Sequence, residues 1–405
     1  MLADQTVSQE FNQLSEAERD RRWQRIREEM SRRGVDCLLL NGNSGRWNEM
    51  HGNIRYVSGY ADELSGVGYA IFPLEGEGTL ITQMQAKRSA YAMSWFKDIR
   101  GMSTLELIDI LAERVADLGL ERGTLGLVGI TFRRGENIGL SWNLYQVMRE
   151  RLPNLKLVDV TDLFFELRSV KSDEEVECLA RSARLVDIGF RAHVELARPG
   201  VTEREVYVGV VRAMDAAGAE PPTFLLLGSG PMPGPQLTGD FVPSNRVLQR
   251  GDVICSETSP KWAGYQSQGL QCFVLGQPTP EMPELAKYAA EVYRTCADQL
   301  RPGNTLEQVI HAADDVIEHA RGSLGDLADA LRPICGAAGL GGPDPDITNK
   351  ELVPNQAFML EIGPGGRPYN PPQHLYGGYC IVTTSGAPRH LGGVPIEEML
   401  LTVIG

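Results

Sequence analysis

Leu248-Gln-Arg-Gly-Asp-Val-Ile-Cys-Ser-Glu257-Thr-Ser-Pro260 and Leu352-Val-Pro-Asn-Gln-Ala-Phe-Met-Leu-Glu361-Ile-Gly-Pro364 echo each other. Each runs from a turn into an apolar strand, places one glutamate six residues after the Gly or Asn, and closes on proline three residues later. A carboxylate at the end of an apolar strand is costly to bury unless something pairs with it, so two at equivalent positions suggest a shared polar site. Coincidence between two half-buried strands is the competing reading, and the sequence on either side shifts the balance.

Upstream, residues 15–34 have helical spacing, and Val35 to Leu40 reads as a strand. Asn53-Ile-Arg-Tyr-Val-Ser-Gly-Tyr60 reads as a turn into a further strand. Val67 to Phe72 and Gly78 to Thr82 alternate as strands joined by the Pro73-Leu-Glu-Gly turn. A helix over 103–118, a strand from Leu125 to Val128, a helix over 138–152 and a strand from Leu155 to Val160 complete an alternating α/β domain, 1–165. The second domain, 166–405, opens with Ser172 and Glu175, a capping box that starts a long amphipathic helix. Thr202 with Glu205 follows Pro199-Gly200, and Thr305 with Gln308 follows Pro302-Gly303, in the same pattern. Between these two helix starts lies a β-rich block, 222–276, and a last one covers 352–404.

Two domains suit a chain of 405 residues. The polar start Met1-Leu-Ala-Asp-Gln-Thr and the absence of any apolar run long enough to span a bilayer lead to the expectation of a cytoplasmic protein with no membrane partner. The net charge of −14 argues against nucleic acid. Seven scattered cysteines without a CxxC pair argue against both a disulfide framework and a zinc cluster.

At Leu167-Arg-Ser-Val-Lys-Ser-Asp-Glu-Glu, Arg198-Pro-Gly-Val-Thr-Glu and Gly251-Asp-Val-Ile-Cys-Ser-Glu…Gly264-Tyr-Gln-Ser, the chain resembles the pita-bread superfamily of prolidases, aminopeptidases P, methionine aminopeptidases and creatinase. Asn53 to Tyr60 resembles the creatinase/prolidase N-terminal domain. The resemblance implies an α/β N-terminal domain of that type followed by an α+β pita-bread domain. It also implies a homodimer whose N-terminal domain reaches the partner's pocket, with Arg55 on the reaching loop. The family's peptidases hold two divalent metals with two Asp, one His and two Glu. Laid onto this chain, those positions are Glu257, Gln268, the loop Ala338-Gly-Leu-Gly341, Glu361, and a residue at or beside Gly377. Two carboxylates, an amide and no imidazole make a poor cage for two hard cations. The expectation is therefore no metal and no other cofactor. Creatinase, the family's metal-free hydrolase, does not match either: its catalytic histidine falls at Asp240 and its hairpin glutamate at Leu270.

Glu257 and Glu361 are the expected acid–base pair, a few ångströms apart if the family's pseudo-twofold holds. Gln268 is a pocket amide, and Asp240 either joins the catalytic set or caps its turn. His374 suits a general base near neutral pH, and an exposed loop histidine is the alternative. Tyr265 and Tyr376 are hydroxyl donors for substrate or else core aromatics. Cys335 belongs to the pocket lining, where packing competes with nucleophilic chemistry. His193, His311 and His319 fall on helices as surface or packing residues. These readings lead to a metal-independent hydrolase, creatinase-like, that cuts a C–N bond in a small cationic or zwitterionic substrate. A lyase or deaminating enzyme on the same scaffold, a non-catalytic binding module, and a residual Xaa-Pro-type peptidase are the alternatives.

Overall fold

The computed structural model describes residues 11–41, 52–61, 68–102, 106–130, 140–231, 243–340, 350–363 and 377–405. Asp240, His374 and Tyr376 lie outside the described residues. The chain divides into two compact units, Met1–Arg168 and Ser169–Gly405.

In the first unit, α1 (Glu16–Arg33) starts where Ser15 Oγ accepts the Glu18 amide and stops at Gly34, whose φ of 64° is the left-handed conformation that glycine adopts without strain. Next come β1 (Cys37–Asn41), α2 (Gly52–Ser58), β2 (Gly68–Pro73), β3 (Thr79–Gln83), α3 (Lys87–Met93), β4 (Asp98–Met102), α4 (Leu107–Asp117), β5 (Thr124–Val128), α5 (Trp142–Arg151), β6 (Lys156–Asp159) and α6 (Thr161–Ser169). The strands form one mixed sheet in the order β4-β3-β2-β1-β5-β6. Leu107, Leu111 and Val115 of α4 and Met148 of α5 pack on its Leu39, Ile71, Ile81 and Leu127.

The turn-to-strand expected at Asn53 is instead the helix α2, with all seven residues buried. Its pattern of Ile54, Tyr56 and Ser58 alternates like a strand. The final carbonyls of such a short helix lack internal partners, and α1 supplies them: Trp23 Nε1 donates to Val57 O at 2.7 Å and Arg22 Nη1 to Tyr56 O at 3.2 Å. The Arg22 guanidinium also lies 4.2 Å over the Tyr56 ring.

The second unit runs α7 (Asp173–Leu196), α8 (Glu203–Ala216), β7 (Phe224–Pro231), β8 (Asp252–Ser259), β9 (Lys261–Trp262), β10 (Tyr265–Gln266), β11 (Gly269–Leu275), α9 (Glu281–Ala297), α10 (Leu306–His311), α11 (Asp314–Leu324), β12 (Pro333–Ala337), β13 (Ala357–Ile362), β14 (Gly377–Val382), β15 (Arg389–His390), α12 (Ile396–Leu400) and β16 (Thr402–Ile404). All three capping boxes form, at Ser172, Thr202 and Thr305. The main sheet runs β12-β13-β14-β11-β8-β7, with β15 on β14 and β16 on β11. Helices α7, α8, α9 and α11 cover one face, where Val186, Val210, Ala289 and Ile317 meet Leu227, Ile254, Phe273, Phe358 and Leu360. This is the α+β layout that the pita-bread resemblance implied.

Candidate functional site

Side chains alternate across a strand, so the residues between those core positions face away from the helices. The register lines up one such row. Ile334 of β12 pairs with Glu361 of β13, Glu361 with Gly378 of β14, Gly378 with Leu270 of β11, Leu270 with Glu257 of β8, and Glu257 with Leu226 of β7. The two glutamates of the echoing segments therefore stand on one face and at one level of the sheet. Three strand spacings, about 14 Å along the sheet, separate their Cα atoms. The two residues between them are Gly378 and Leu270. At Gly378 a Cβ would run into the Leu360 carbonyl and the Glu361 backbone, so only glycine lets β14 lie this close to β13. One step along the strands on the same face, Cys255 and Cys272 pair directly and join Val253, Val274 and Met282 in a small buried cluster.

Gln268 reaches Glu257 because the chain doubles back at once. Trp262 pairs with Tyr265, and Ala263 and Gly264 between them have φ of 51° and 80°, the positive values that a two-residue hairpin of matching twist requires. Nε2 of Gln268, just ahead of β11, donates a hydrogen bond to Oε1 of Glu257. Both residues are partly exposed. The amide thus meets the carboxylate with its donor end.

The positions that the resemblance lays onto metal ligands carry few charged donors among the described residues. Of the five metal-binding positions implied by the resemblance, Glu257 and Glu361 offer carboxylates, Gln268 has its NH2 group turned to Glu257, Ala338 offers no side-chain ligand, and the last falls at or beside Gly377. Among the described residues no three His, Cys, Asp or Glu side chains cluster to hold a metal ion.

Three expected pocket residues sit elsewhere. Tyr265 is 1% exposed, and its hydroxyl donates to Glu175 Oε1 while the other oxygen of Glu175 accepts the Ser172 amide in the α7 capping box. This corrects its reading as a substrate donor: the hydroxyl ties the hairpin to the start of α7. Cys335 pairs with Leu360 on the core-facing row, one position off the row of Glu361, and packs against the core. Burial pushes its thiol well above the ordinary range. Its side chain therefore stands on the face opposite to Glu361. Arg55 is 5% exposed within α2, with Nη2 3.5 Å from the Asn12 carbonyl, so it is a buried helix residue in its own unit and not a loop cation. Leu270 and Gly378 escaped the sequence reading as members of the glutamate row, because only strand register brings them there.

A family model for the metallopeptidase family M24 matches residues 177–403, and one for the creatinase/prolidase N-terminal domain matches 22–170. Creatinase from Bacillus sp. (strain B-0618) is 27% identical over 72% of this chain and 68% of its own length. A probable dipeptidase, PepE, from Mycobacterium tuberculosis (strain ATCC 25618 / H37Rv) is 29% identical, but the match spans only 50% of this chain and 54% of that protein. The crystal structure of X-Pro aminopeptidase from Thermotoga maritima MSB8 superposes with a TM-score of 0.75 at 20% identity, covering 94% of this chain and 99% of that one.

Proposed function

The chain belongs to metallopeptidase family M24, and on that premise we propose that it is a metal-independent hydrolase that cleaves a C–N bond in a small cationic or zwitterionic molecule. The observation that carries this reading is the hydrogen bond from Gln268 to Glu257, which sets a neutral amide against a carboxylate where the family's peptidases place two charged metal ligands. Glu257 and Glu361, facing one way from one row, provide the acid–base chemistry. One carboxylate takes a proton from water as it attacks the carbon, and the other, protonated, delivers a proton to the departing nitrogen. The carboxylates also favour a substrate that brings a positive charge.

The names of two similar proteins, a dipeptidase and an X-Pro aminopeptidase, support a second reading, peptide hydrolysis with a bound metal. One experiment separates the two. The purified protein is assayed for metal content, then dialysed against chelator and offered guanidino acids, N-acyl amino acids and X-Pro dipeptides. Turnover of a non-peptide substrate that survives chelation supports the proposal. About two transition metals per chain, with dipeptide cleavage lost to chelator, overturns it.

A further inference from the structure

Behind the strand pair that carries Glu257, on the face turned to α7, three fully buried side chains hold polar atoms with no hydrogen-bond partner among the described residues: His193 Nε2, Ser256 Oγ and Gln271 Oε1. Buried polar atoms are nearly always satisfied, so three on neighbouring elements call for a common explanation. Ser256 and Gln271 are register partners on β8 and β11, which puts their Cβ atoms about 5 Å apart on one face. His193 approaches that face from α7. Its ring stacks on Phe273, with centroids 5.1 Å apart and planes 14° from parallel, and Phe273 follows Gln271 by two positions on the same face.

The donors and acceptors can be counted. His193 Nδ1 lies 2.8 Å from the Gly189 carbonyl. A carbonyl only accepts, so Nδ1 carries the proton and Nε2 presents a lone pair. Burial holds the ring neutral, pushing its pKa down to about 4. Gln271 Nε2 donates to Thr258 Oγ1 at 2.9 Å, which leaves Oε1 as an acceptor. The three atoms therefore offer one donor, the Ser256 hydroxyl, and two acceptors. If Ser256 turned to bond one acceptor directly, the other would stay orphaned in the core. One water molecule has two protons and a free lone pair, the complement of this set. A cation gains little here, since no carboxylate is among the three.

We propose that a single buried water molecule occupies this site, donating to Gln271 Oε1 and His193 Nε2 and accepting from Ser256 Oγ. It braces β8 one residue from Glu257 and β11 one residue from Leu270, so it supports the glutamate row from behind. The inference is independent of which reaction the row performs. The test is a crystal structure of the full chain at a resolution that shows solvent, together with 15N NMR of the histidine side chains. A solvent peak within about 3.2 Å of all three atoms and an Nδ1-protonated tautomer of His193 are expected. Either a direct bond from Ser256 to one acceptor with no solvent peak, or an Nε2-protonated His193, overturns the proposal.

Discussion

The two faces of the main sheet in the second unit are one residue apart in sequence and opposite in character. On β8, Ile254, Ser256 and Thr258 turn to the helices, while Cys255 and Glu257 turn away. On β13, Phe358, Leu360 and Ile362 fill the core, while Glu361 stands on the other side beside Gly378. The sheet thus divides labour by strand parity. The core face holds the unit together through helix packing, and the opposite face carries Glu257 and Glu361 beside the small Cys255–Cys272 cluster. Substitutions one residue apart should therefore fail in different ways.

The largest expected effect is on rate. Glu361→Gln keeps the shape of the side chain and removes its proton chemistry, so turnover should fall roughly 10²–10⁴-fold with the melting temperature little changed. Wild-type ligand binding together with a higher melting temperature would show that the row is a remnant of a lost metal site, relieved of one charge.

Across the sheet, Phe358→Ala should cost about 3–5 kcal/mol of stability through the cavity it leaves. Phe358 is fully buried among the helices. Urea unfolding measures this, and a loss below about 1 kcal/mol would mean that this face is not the tightly packed one.

His193, on the same core side, makes a pH-dependent contribution. The unfolded chain takes up its proton near the ordinary value of 6.5 and the folded one only at about 4. Stability is therefore whole above pH 6.5 and falls as the pH drops toward 4, by about 3 kcal/mol over that window. His193→Phe, which retains the aromatic stack on Phe273, should flatten this limb of the unfolding free energy. An unchanged pH profile in the variant would assign the acid sensitivity to other groups.

The smallest effect concerns Tyr265, which was expected in the pocket and instead ties its hairpin to the start of α7. Tyr265→Phe removes the hydroxyl from Glu175 and should cost about 1–3 kcal/mol with KM unaltered. A raised KM at undiminished stability would return Tyr265 to the substrate site.

Much of this was legible in the sequence because it rests on neighbours in the chain. The capping boxes at Ser172, Thr202 and Thr305 involve residues three apart, and all three formed. The helix ending at Gly34 and the strands around Leu38, Ala70 and Leu80 follow from local periodicity and turn chemistry. Where distant partners intervened, the reading failed. Asn53 to Ser58 alternates like a strand and is a helix whose last carbonyls accept hydrogen bonds from side chains of α1, partners 34 residues away in the chain. Tyr265 reads as a substrate donor or a core aromatic, and it is Glu175, ninety residues earlier, that takes its hydroxyl and decides for the buried reading.

The sequence by itself determined the family, the two-domain plan, the helix starts and the two glutamates that end apolar strands. Composition, caps and short-range spacing encode these, and they act within a few residues. Tertiary structure alone decided that Glu361, Gly378, Leu270 and Glu257 share a row, that Gln268 turns its amide to Glu257, and that Cys335 faces the core. Those outcomes depend on strand register summed over long connections, and a shift of one residue in pairing moves a side chain to the opposite face of the sheet.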